Sequence, residues 1–385
     1  MRNHKDSLKT VIGILAIAAL LSACAVLGES SEPTSSEGVT RTYYIAAETV
    51  LWDYAPSYPT NRTTGSAFTD DEKVFVKGNG KDRIGRIYKK ARYIEYTDGS
   101  FSTVKKRPPE WEHLGLLGPV IVANVGDTIE VVFMNKTADQ IVSLHPHGVF
   151  YDKESEGAPY DDGTTGSDKD DDAVPPGGSH TYVWKVPERS GPTQWDSKPL
   201  IWLYHSHVGR DGLADETRST NSGLLGPIIV SKQGERGPNG KLRGIDREFI
   251  TVFTVFDENS SFYLDANIAS FAPDADPDDE DFQESNLMHS VNGYLYGNAP
   301  GLTMNKEDKV RWYTIALGTE VDLHTPHWHG NTLTWDRRRV DTINLLPATQ
   351  RALDMEPDNA GIWMFHCHVN DHFDAGMAAT YRVEP

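Results

Sequence analysis

The sequence predicts an all-β protein built from two β-sandwich domains in tandem, and three observations lead to this prediction. Short segments rich in β-branched and aromatic residues are separated by turns rich in Gly, Pro and Asp. No long segment repeats its apolar residues with the helical period of about 3.6 residues. Two histidine-containing motifs of the first half recur in the second half. Together these features indicate antiparallel Greek-key sheets packed face to face.

The chain begins with a segment typical of export. A basic start is followed by an apolar stretch over 11–21, which is too short to span a bilayer comfortably. Residues 21–24, Leu-Ser-Ala-Cys, resemble a bacterial lipobox. We therefore expect cleavage before Cys24 and a membrane-anchored lipoprotein on the outer face of the cytoplasmic membrane or in the periplasm. The alternative is an ordinary signal peptide with an incidental cysteine. Residues 28–38 have the composition of a flexible tether.

After this signal peptide and tether, 1–38, the repeat divides the chain into two predicted domains, 39–234 and 235–385. The motif His145-Pro146-His147-Gly148 recurs as His327-Trp328-His329-Gly330, and His205-Ser206-His207 recurs as His366-Cys367-His368. The segments with the strongest strand composition are 43–52, 128–133, 228–230, 249–256, 310–317 and 378–383. We infer two copies of one domain.

The composition excludes several classes of function. The 385 residues include 56 Asp and Glu against 37 Lys and Arg, which gives a formal net charge of −19. An acidic surface repels phosphate, so we expect no nucleic-acid partner. The two cysteines are Cys24, in the export segment, and Cys367. A single remaining thiol cannot cross-link the fold, so any special role of Cys367 is chemical.

Ten of the 14 histidines fall in four tight clusters, which suggests metal binding. In a strand, residues i and i+2 point to the same face and residue i+1 to the other. His366 and His368 can therefore bind metal on one side of their strand while Cys367 binds a different metal on the other. The clusters are His145 and His147; His205 and His207; His324, His327 and His329; and His366, His368 and His372.

One of these metal sites has the composition of a blue-copper centre, which uses a thiolate, two imidazoles and a weak axial thioether. The matching residues are Cys367, His324, His372 and Met377, three of them within one short segment. Zinc is the alternative metal for a His/Cys cluster, although zinc sites rarely need ten histidines in paired units. Met377 taken alone could also be a core residue.

Several longer motifs resemble the multicopper oxidases, and among them the ceruloplasmin and hephaestin branch of ferroxidases. They cover 82–90, 281–293, 320–324, 339–344 and 365–377. The resemblance implies a two-domain multicopper oxidase with cupredoxin-like domains. It also implies four coppers per subunit: one type 1 copper that takes electrons from the substrate, and a cluster of one type 2 and two type 3 coppers that reduces dioxygen to water.

Carried over residue by residue, the resemblance assigns a role to every clustered histidine. The type 1 ligands would be His324, Cys367, His372 and Met377, and the type 2 ligands His145 and His327. The type 3 ligands would be His147, His205, His207, His329, His366 and His368. Because each domain supplies half of the cluster, it must lie at a domain interface. In small two-domain members that interface is between subunits, which implies a homotrimer.

The same resemblance predicts further sites. Domain 1 has Val142, Ser206 and Asp211 in place of His324, Cys367 and His372, so it should hold no type 1 copper. Glu156 resembles in position the proton-relay carboxylate of small laccases, although it could equally be a surface acid. The expected iron-binding residues of a ferroxidase are Glu284, His289, Glu320 and Asp371. An acidic run with Asp168, Asp171 and Asp172 suits calcium, or is simply a solvated acidic run.

We therefore predict an enzyme that oxidises a small one-electron donor, Fe(II) above all, and reduces dioxygen. The rival with the same coppers is a laccase-like phenol oxidase or a cuprous oxidase. A copper nitrite reductase would have fewer histidines and a type 1 site in domain 1. A copper-binding or electron-transfer lipoprotein without catalysis would not need all twelve ligands.

Overall fold

The computed structural model of the protein describes residues 38–196, 199–209, 211–237, 240–319 and 322–385. The export segment with Cys24 therefore lies outside the described residues. Over the described ranges strands are the predominant regular structure, and the longest α-helix has eight residues. This confirms the predicted all-β class. Within the same ranges, no helix is long and apolar enough to cross a membrane.

Two four-stranded sheets form the first half. One has the strand order β4-β1-β6-β8 and the other β5-β10-β9-β7, with a small hairpin of β2 and β3 beside them. The strands are β1 (Thr40–Asp53), β2 (Thr60–Asn61), β3 (Ser66–Ala67), β4 (Ile87–Tyr96), β5 (Ile121–Asn124), β6 (Thr128–Asn135), β7 (His145–Pro146), β8 (Ser179–Lys185), β9 (Leu200–His205) and β10 (Leu225–Ser231). The α-helices of this half are α1 (Lys73–Val76) and α2 (Glu216–Asn221).

The second half repeats this arrangement with a larger first sheet. Its orders are β12-β11-β14-β18-β16-β17 and β13-β20-β19-β15. The strands are β11 (Arg247–Asp257), β12 (Leu287–Val291), β13 (Thr303–Asn305), β14 (Val310–Ala316), β15 (Pro326–Trp328), β16 (Leu333–Trp335), β17 (Arg338–Val340), β18 (Gln350–Met355), β19 (Gly361–Cys367) and β20 (Ala378–Glu384). The helices are α3 (Leu264–Phe271), α4 (Glu280–Ser285) and α5 (Asn370–Asp374).

The strand pairings of the two halves match one another. β1 is antiparallel to β4 and parallel to β6, and β11 is likewise antiparallel to β12 and parallel to β14. In the other sheet of each half, β7 pairs with β9 as β15 pairs with β19. The sequence repeat is therefore a repeat of topology. The predicted boundary at 234 falls in the connection between β10 and β11.

Strand burial shows that the two sandwiches share apolar surface. β6 alternates between buried and partly buried residues, as expected of a strand with one covered face. In contrast, β10 and β14 are buried along their whole length. Ile228 packs inside the first sandwich, whereas its neighbour Ile229 packs in a second cluster together with Ile250 and Tyr313 of the other half. Residues 37–385 consequently form one compact unit.

A buried ion pair lies within this shared region. Lys90 of β4 and Glu258 of the second half are both fully buried, and the Lys90 ammonium contacts the Glu258 carboxylate. Lys90 also donates to the backbone oxygen of Asn221 (2.7 Å), and the Tyr54 hydroxyl donates to Glu258 (2.5 Å). Burial lowers the pKa of Lys90 and raises that of Glu258, while their mutual attraction opposes both shifts. Each charge is compensated mainly by the other.

His113, outside the four clusters, has a structural role in the same region. Its Nε2 accepts a hydrogen bond from the backbone amide of Ile250 (2.9 Å), and Asn292 donates to its backbone oxygen (2.7 Å). Burial, assisted by the nearby Arg107, lowers the pKa of His113 to about 3. The imidazole is therefore neutral at physiological pH, and its Nε2 lone pair joins the first half to β11.

Candidate metal centres

The pairing of β15 with β19 assembles the site around Cys367. Pro326 lies opposite Cys367 in this antiparallel pair, so His324, two residues earlier, comes alongside the thiol. After α5 the chain comes back to Cys367. The Met377 amide donates to the backbone oxygen of His372 (2.8 Å), and the Cys367 amide donates to the backbone oxygen of Met377 (3.0 Å). All four side chains are buried, the most exposed being His372 at 7%. The structure thus brings together three of the four predicted type 1 ligands, His324, Cys367 and His372, and places the backbone of Met377 beside Cys367.

The three strongest donors of this site converge on one point. The Nδ1 atoms of His324 and His372 are 3.1 Å apart and lie 3.9 Å and 3.7 Å from Cys367 Sγ. Burial alone would raise the pKa of the Cys367 thiol. Hydrogen bonds from the two imidazoles and from backbone amides outweigh burial and bring this pKa to about 6. The sulfur is therefore largely a thiolate at neutral pH, which is the form that binds metal.

Asp322 lies behind one of these imidazoles, a placement that was not expected from the sequence. Its Oδ1 lies 3.3 Å from His324 Nε2, the nitrogen that faces away from the thiol. Backbone amides of Val255 (2.9 Å) and Thr319 (2.8 Å) fix the carboxylate. Gly318 makes room, since a Cβ there would lie 2.1 Å from Asp322 Cγ. A carboxylate behind a ligating histidine is a common way to fix its tautomer and orientation.

The first histidine quartet consists of His145, His147, His205 and His207. β7 places His145 directly opposite His205 of β9. The ligand nitrogens of His145, His147 and His205 lie within 4.8 Å of one another, and His147 Nε2 is 3.0 Å from His205 Nε2. The His207 ring is centred 5.3 Å from that of His145. His145 Nδ1 donates to the backbone oxygen of Glu156 (2.6 Å) and His205 Nδ1 to that of Ser206 (3.0 Å), which leaves both Nε2 lone pairs available.

The second quartet, His327, His329, His366 and His368, repeats this geometry. β15 places His327 opposite His366 of β19. The nitrogens of His327, His329 and His366 lie within 4.8 Å of one another, and His329 Nε2 is 3.0 Å from His366 Nε2. His366 Nδ1 donates to the Cys367 backbone oxygen (2.7 Å). The His368 ring is centred 5.3 Å from that of His327.

The glycine that ends each His-x-His-Gly motif is required by packing. Gly148 and Gly330 have φ of 72° and 71°, a conformation that favours glycine. A Cβ at Gly148 would lie 2.1 Å from the ring of Trp202, and one at Gly330 would lie 2.4 Å from the ring of Trp363. The tryptophans occupy matching positions on β9 and β19. The same contact therefore turns the chain beside each quartet.

The donor sets fit copper. Burial lowers the pKa of His205 well below its ordinary value and that of His366 to about 4, so these imidazoles stay neutral and keep a free lone pair. His207 Nδ1 and His327 Nδ1 are buried without a hydrogen-bond partner, as suits atoms that bind metal. A thiolate with imidazoles and a thioether is the ligand set of blue copper, and imidazole also suits copper at the quartets.

The two quartets are separate within the described part of the chain. No ring contact there joins a histidine of the first quartet to one of the second. His145 and His327 are partly exposed and His368 is exposed. A cavity beside the second quartet is lined by His327, His368, Trp335 and Asp341, among others. Each quartet is thus accessible from one side.

The counterpart of the thiolate site in the first half has no metal-binding set. Val142 and Ser206 are fully buried, and Ser206 Oγ accepts a hydrogen bond from the Ser143 amide (3.1 Å). Asp211 is exposed. An aliphatic side chain and a hydrogen-bonded hydroxyl thus stand where the second half has an imidazole and a thiolate.

One of the predicted iron-binding residues, His289, contacts His372, and the described residues of the set do not form one cluster. His289 of β12 is 8% exposed, and its ring is centred 5.3 Å from that of His372. Burial, and then His372, lowers the pKa of His289 to about 4. Glu284 at the end of α4 and Asp371 beside His372 are exposed. Among the described residues, neither belongs to a group of three ligand atoms within 4.8 Å. Glu320 lies outside the described residues.

Lysines neutralise the acidic loop after the first quartet. The Glu156 carboxylate, the predicted proton relay, pairs with Lys153 (2.5 Å) and accepts from the Tyr160 hydroxyl (3.0 Å). Lys169 lies 3.1 Å from Asp172 and 2.9 Å from Asp162. The other two predicted calcium ligands behave differently: Asp168 is partly exposed, and buried Asp171 accepts from the Gly157 amide (2.6 Å). The calcium site and the relay stay predictions.

Comparison with known proteins gives consistent results. Two family models, both described as multicopper oxidase, match residues 113–235 and 271–385. The chain is 46% identical over 352 residues to the protein named Ferroxidase HEPHL1 of Homo sapiens, 42% identical to hephaestin of Homo sapiens and 46% identical to ceruloplasmin of Ovis aries. These matches cover 90%, 92% and 92% of this chain, but only 29%, 30% and 33% of those relatives.

Solved structures show the same fold. A crystal structure described as multicopper oxidase matches with a TM-score of 0.54 and 19% identity, covering 90% of this chain and 89% of that one. A second, described as multicopper oxidase mgLAC, matches with a TM-score of 0.54 and 18% identity, covering 89% of this chain and 86% of that one. The cupredoxin-like sandwich fold predicted for both halves is therefore supported by independent structures.

Proposed function

Because the chain belongs to the multicopper oxidase family, we propose that it is a ferroxidase, which couples the oxidation of Fe(II) to the reduction of dioxygen to water. The observation that carries this proposal is the contact of His289 with His372. It places a predicted iron ligand in ring contact with a predicted copper ligand. One of the relatives is named a ferroxidase, although this chain spans about a third of its length.

The proposed copper ligands divide into two kinds of site. Cys367, His324, His372 and Met377 would hold the type 1 copper. His145 and His327 would hold the type 2 copper, and the other six quartet histidines the type 3 pair. Copper bound in these sites supplies one-electron oxidation of the substrate and four-electron reduction of dioxygen.

The chain itself connects the two kinds of site. Cys367 is joined by peptide bonds to His366 and His368, so the thiolate and two histidines of the second quartet are three consecutive residues at one strand end. The hydrogen bond from His366 Nδ1 to the Cys367 backbone oxygen (2.7 Å) adds a second link. Four Fe(II) ions would supply the four electrons for each dioxygen, and four protons would be taken up.

Carboxylates around His289 would make this surface selective for iron. Carboxylate oxygens are hard ligands that favour Fe(III) over Fe(II), so they assist the loss of an electron. Glu284 lies five residues before His289, and Asp371 is the covalent neighbour of His372. Both are exposed and can be reached by an ion in solution. Glu320 completes the proposed set.

Removing these carboxylates should impair iron oxidation alone. We expect Glu284→Ala and Asp371→Ala each to lower kcat/KM for Fe(II) about 10-fold to 100-fold, because a charge-assisted contact contributes about 1.5–3 kcal/mol. Oxidation of a phenol, which does not need the carboxylates, should change less than about twofold. Oxygen consumption by the copper-loaded protein measures both reactions.

Two exposed acids serve as matched controls for this experiment. Glu280 lies on α4 with Glu284, and Asp374 lies on α5 with Asp371. The control substitutions Glu280→Ala and Asp374→Ala therefore each remove one negative charge from the same helix as the tested residue. The controls should retain iron turnover. If Glu284→Ala and Asp371→Ala behave like their controls, the iron site is wrong. Broad phenol oxidation without saturable iron kinetics would then favour the laccase-like or cuprous oxidase.

We also propose a homotrimer in which the first quartet of one subunit meets the second quartet of its neighbour. The separation and partial exposure of the quartets support this assembly. Mixing His147→Ala and His329→Ala chains, by unfolding and refolding them together, tests it. A cyclic trimer with clusters between subunits should regain about a quarter of the wild-type clusters by random association. A cluster built within one chain would regain none, and sedimentation velocity checks the threefold mass.

Three further predictions accompany this function. The lipid anchor at Cys24 would hold the exported protein at a membrane, where Fe(II) and dioxygen reach it from solution. The acidic loop would bind calcium only by displacing Lys169 from Asp172. Glu156 would relay protons only when its carboxylate is released from Lys153, although its backbone oxygen already orients His145.

A further inference from the structure

A cleft between the two sandwiches lies apart from the copper ligands. Its volume is about 870 Å³, which is in the range of small-molecule sites. β4 and the segment 104–111 form one wall, and residues 240–249 of the second half form the other. Trp111 and Phe249 contribute apolar surface. No proposed copper or iron ligand lines the cleft.

Two arginines of this cleft have no acidic partner among the described residues. The Arg92 side chain forms no hydrogen bond there, its Nε is buried, and its guanidinium lies 5.8 Å from the centre of the Trp52 ring. Arg107 donates to the backbone oxygens of Gly115 (3.0 Å) and Leu117 (2.6 Å). These two bonds leave the other donors of its guanidinium available. Both arginines line the cleft, where burial, and then the charge of Arg92, lowers the pKa of Arg107 to about 10.

Among the described residues, the acids that line the cleft form no ion pair with these arginines, although the charge of Glu95 acts to raise the pKa of Arg107. Glu95 pairs with Lys105 (2.7 Å). Glu248 forms a two-pronged pair with Arg236, at 2.7 Å and 2.8 Å. Asp246 accepts from the backbone amide of Lys309 (2.8 Å), and Glu110 is exposed. Placing two arginines without a paired carboxylate in one cleft costs free energy, because like charges that are partly buried repel one another.

We propose that this cleft binds a small molecule through a carboxylate or phosphate group held between Arg92 and Arg107. Guanidinium groups offer paired N–H donors that match the oxygens of such groups. The anion would neutralise both charges and satisfy the Nε of Arg92, while the rest of the molecule packs on Trp111 and Phe249. This site does not depend on the proposed ferroxidase activity.

Calorimetric titration of the copper-loaded protein with inorganic phosphate and with succinate tests the proposal. We expect saturable binding of at least one anion, and the stronger of the two identifies the phosphate or the carboxylate form. Arg92→Gln should weaken binding at least about 10-fold. This variant breaks no hydrogen bond of the described structure, so it should fold. Arg107→Gln should weaken binding as well, and loses two bonds to backbone oxygens.

Lys106→Gln is the matched control, because it removes one positive charge from an exposed lining residue of the same cleft. It should bind the anion within about twofold of wild type. The anion should also raise the unfolding temperature of the wild type and of Lys106→Gln, and leave that of Arg92→Gln unchanged. Absence of saturable binding by both anions, or equal binding by Arg92→Gln and the wild type, would overturn the proposal.

Discussion

Replacing Cys367 with serine should remove the intense visible absorption of the copper-loaded protein and reduce its oxidation of every donor to background. Turnover should fall by more than about 1,000-fold, the scale of loss when an essential group is removed. A serine hydroxyl does not ionise near neutral pH, whereas the Cys367 thiol, with its pKa of about 6, does. Copper content should fall by about one ion per chain, since the quartets keep their ligands.

Ser206→Cys is the matched control, because Ser206 is the counterpart of Cys367 in the first half. The new thiol would lie between His205 and His207, but Val142 stands where an imidazole is needed. We expect no second visible band and unchanged turnover. Absorption spectra and copper analysis of the two variants decide the matter. A visible band that survives in Cys367→Ser would show that another residue supplies the charge-transfer ligand.

Lys90→Met should destabilise the protein by about 3–5 kcal/mol, because it leaves the Glu258 carboxylate buried without its partner. The pKa of Glu258 is already raised by burial, and it should rise further without Lys90. A carboxyl group with a raised folded-state pKa favours folding at low pH. The deficit should therefore shrink as the pH is lowered toward 4.5, the ordinary value for glutamate. Urea unfolding at several pH values measures this.

Two further variants distinguish the effect of leaving a buried charge unpaired from the effect of losing one positive charge. Lys90→Met combined with Glu258→Gln should recover most of the lost stability, since no buried charge remains and the Tyr54 hydroxyl keeps an acceptor. Lys105→Met removes an exposed partner of Glu95 and should cost less than about 1 kcal/mol. Equal losses for Lys90→Met and Lys105→Met would mean that burial of the pair has no energetic effect.

The alternation of side chains along a strand was enough to predict that neighbouring residues of one short segment contribute to two different metal sites. Because successive side chains of a strand alternate in direction, His366 and Cys367 were expected to face different metals. In the structure, Cys367 lies with His324 and His372, and His366 lies with His327 and His329. The internal repeat likewise predicted two sandwiches, because its motifs can be recognised directly in the sequence.

Other features could not be read from the sequence, because they depend on distant residues. Asp322 lies beside His324 only because an amide of β11 and the space at Gly318 hold its carboxylate in place. Lys90 and Glu258 are 168 positions apart, and no local pattern of the sequence pairs them. The acidic run predicted as a calcium site contains Lys169, whose ammonium lies among the carboxylates in the fold. Only the arrangement of the chain shows these contacts.

The backbone carbonyls that accept hydrogen bonds from histidine Nδ1 atoms affect whether the protein folds before or after it binds metal. The oxygens of Glu156, Ser206 and Cys367 each hold the Nδ1 proton of one imidazole, so folding alone selects the nitrogen that remains available. Rotation and tautomer exchange of these rings are therefore restricted before any ion arrives. Metal capture then has little ordering entropy left to overcome. Such a protein can be folded first and metallated afterwards, unlike a zinc finger, whose ion drives its folding.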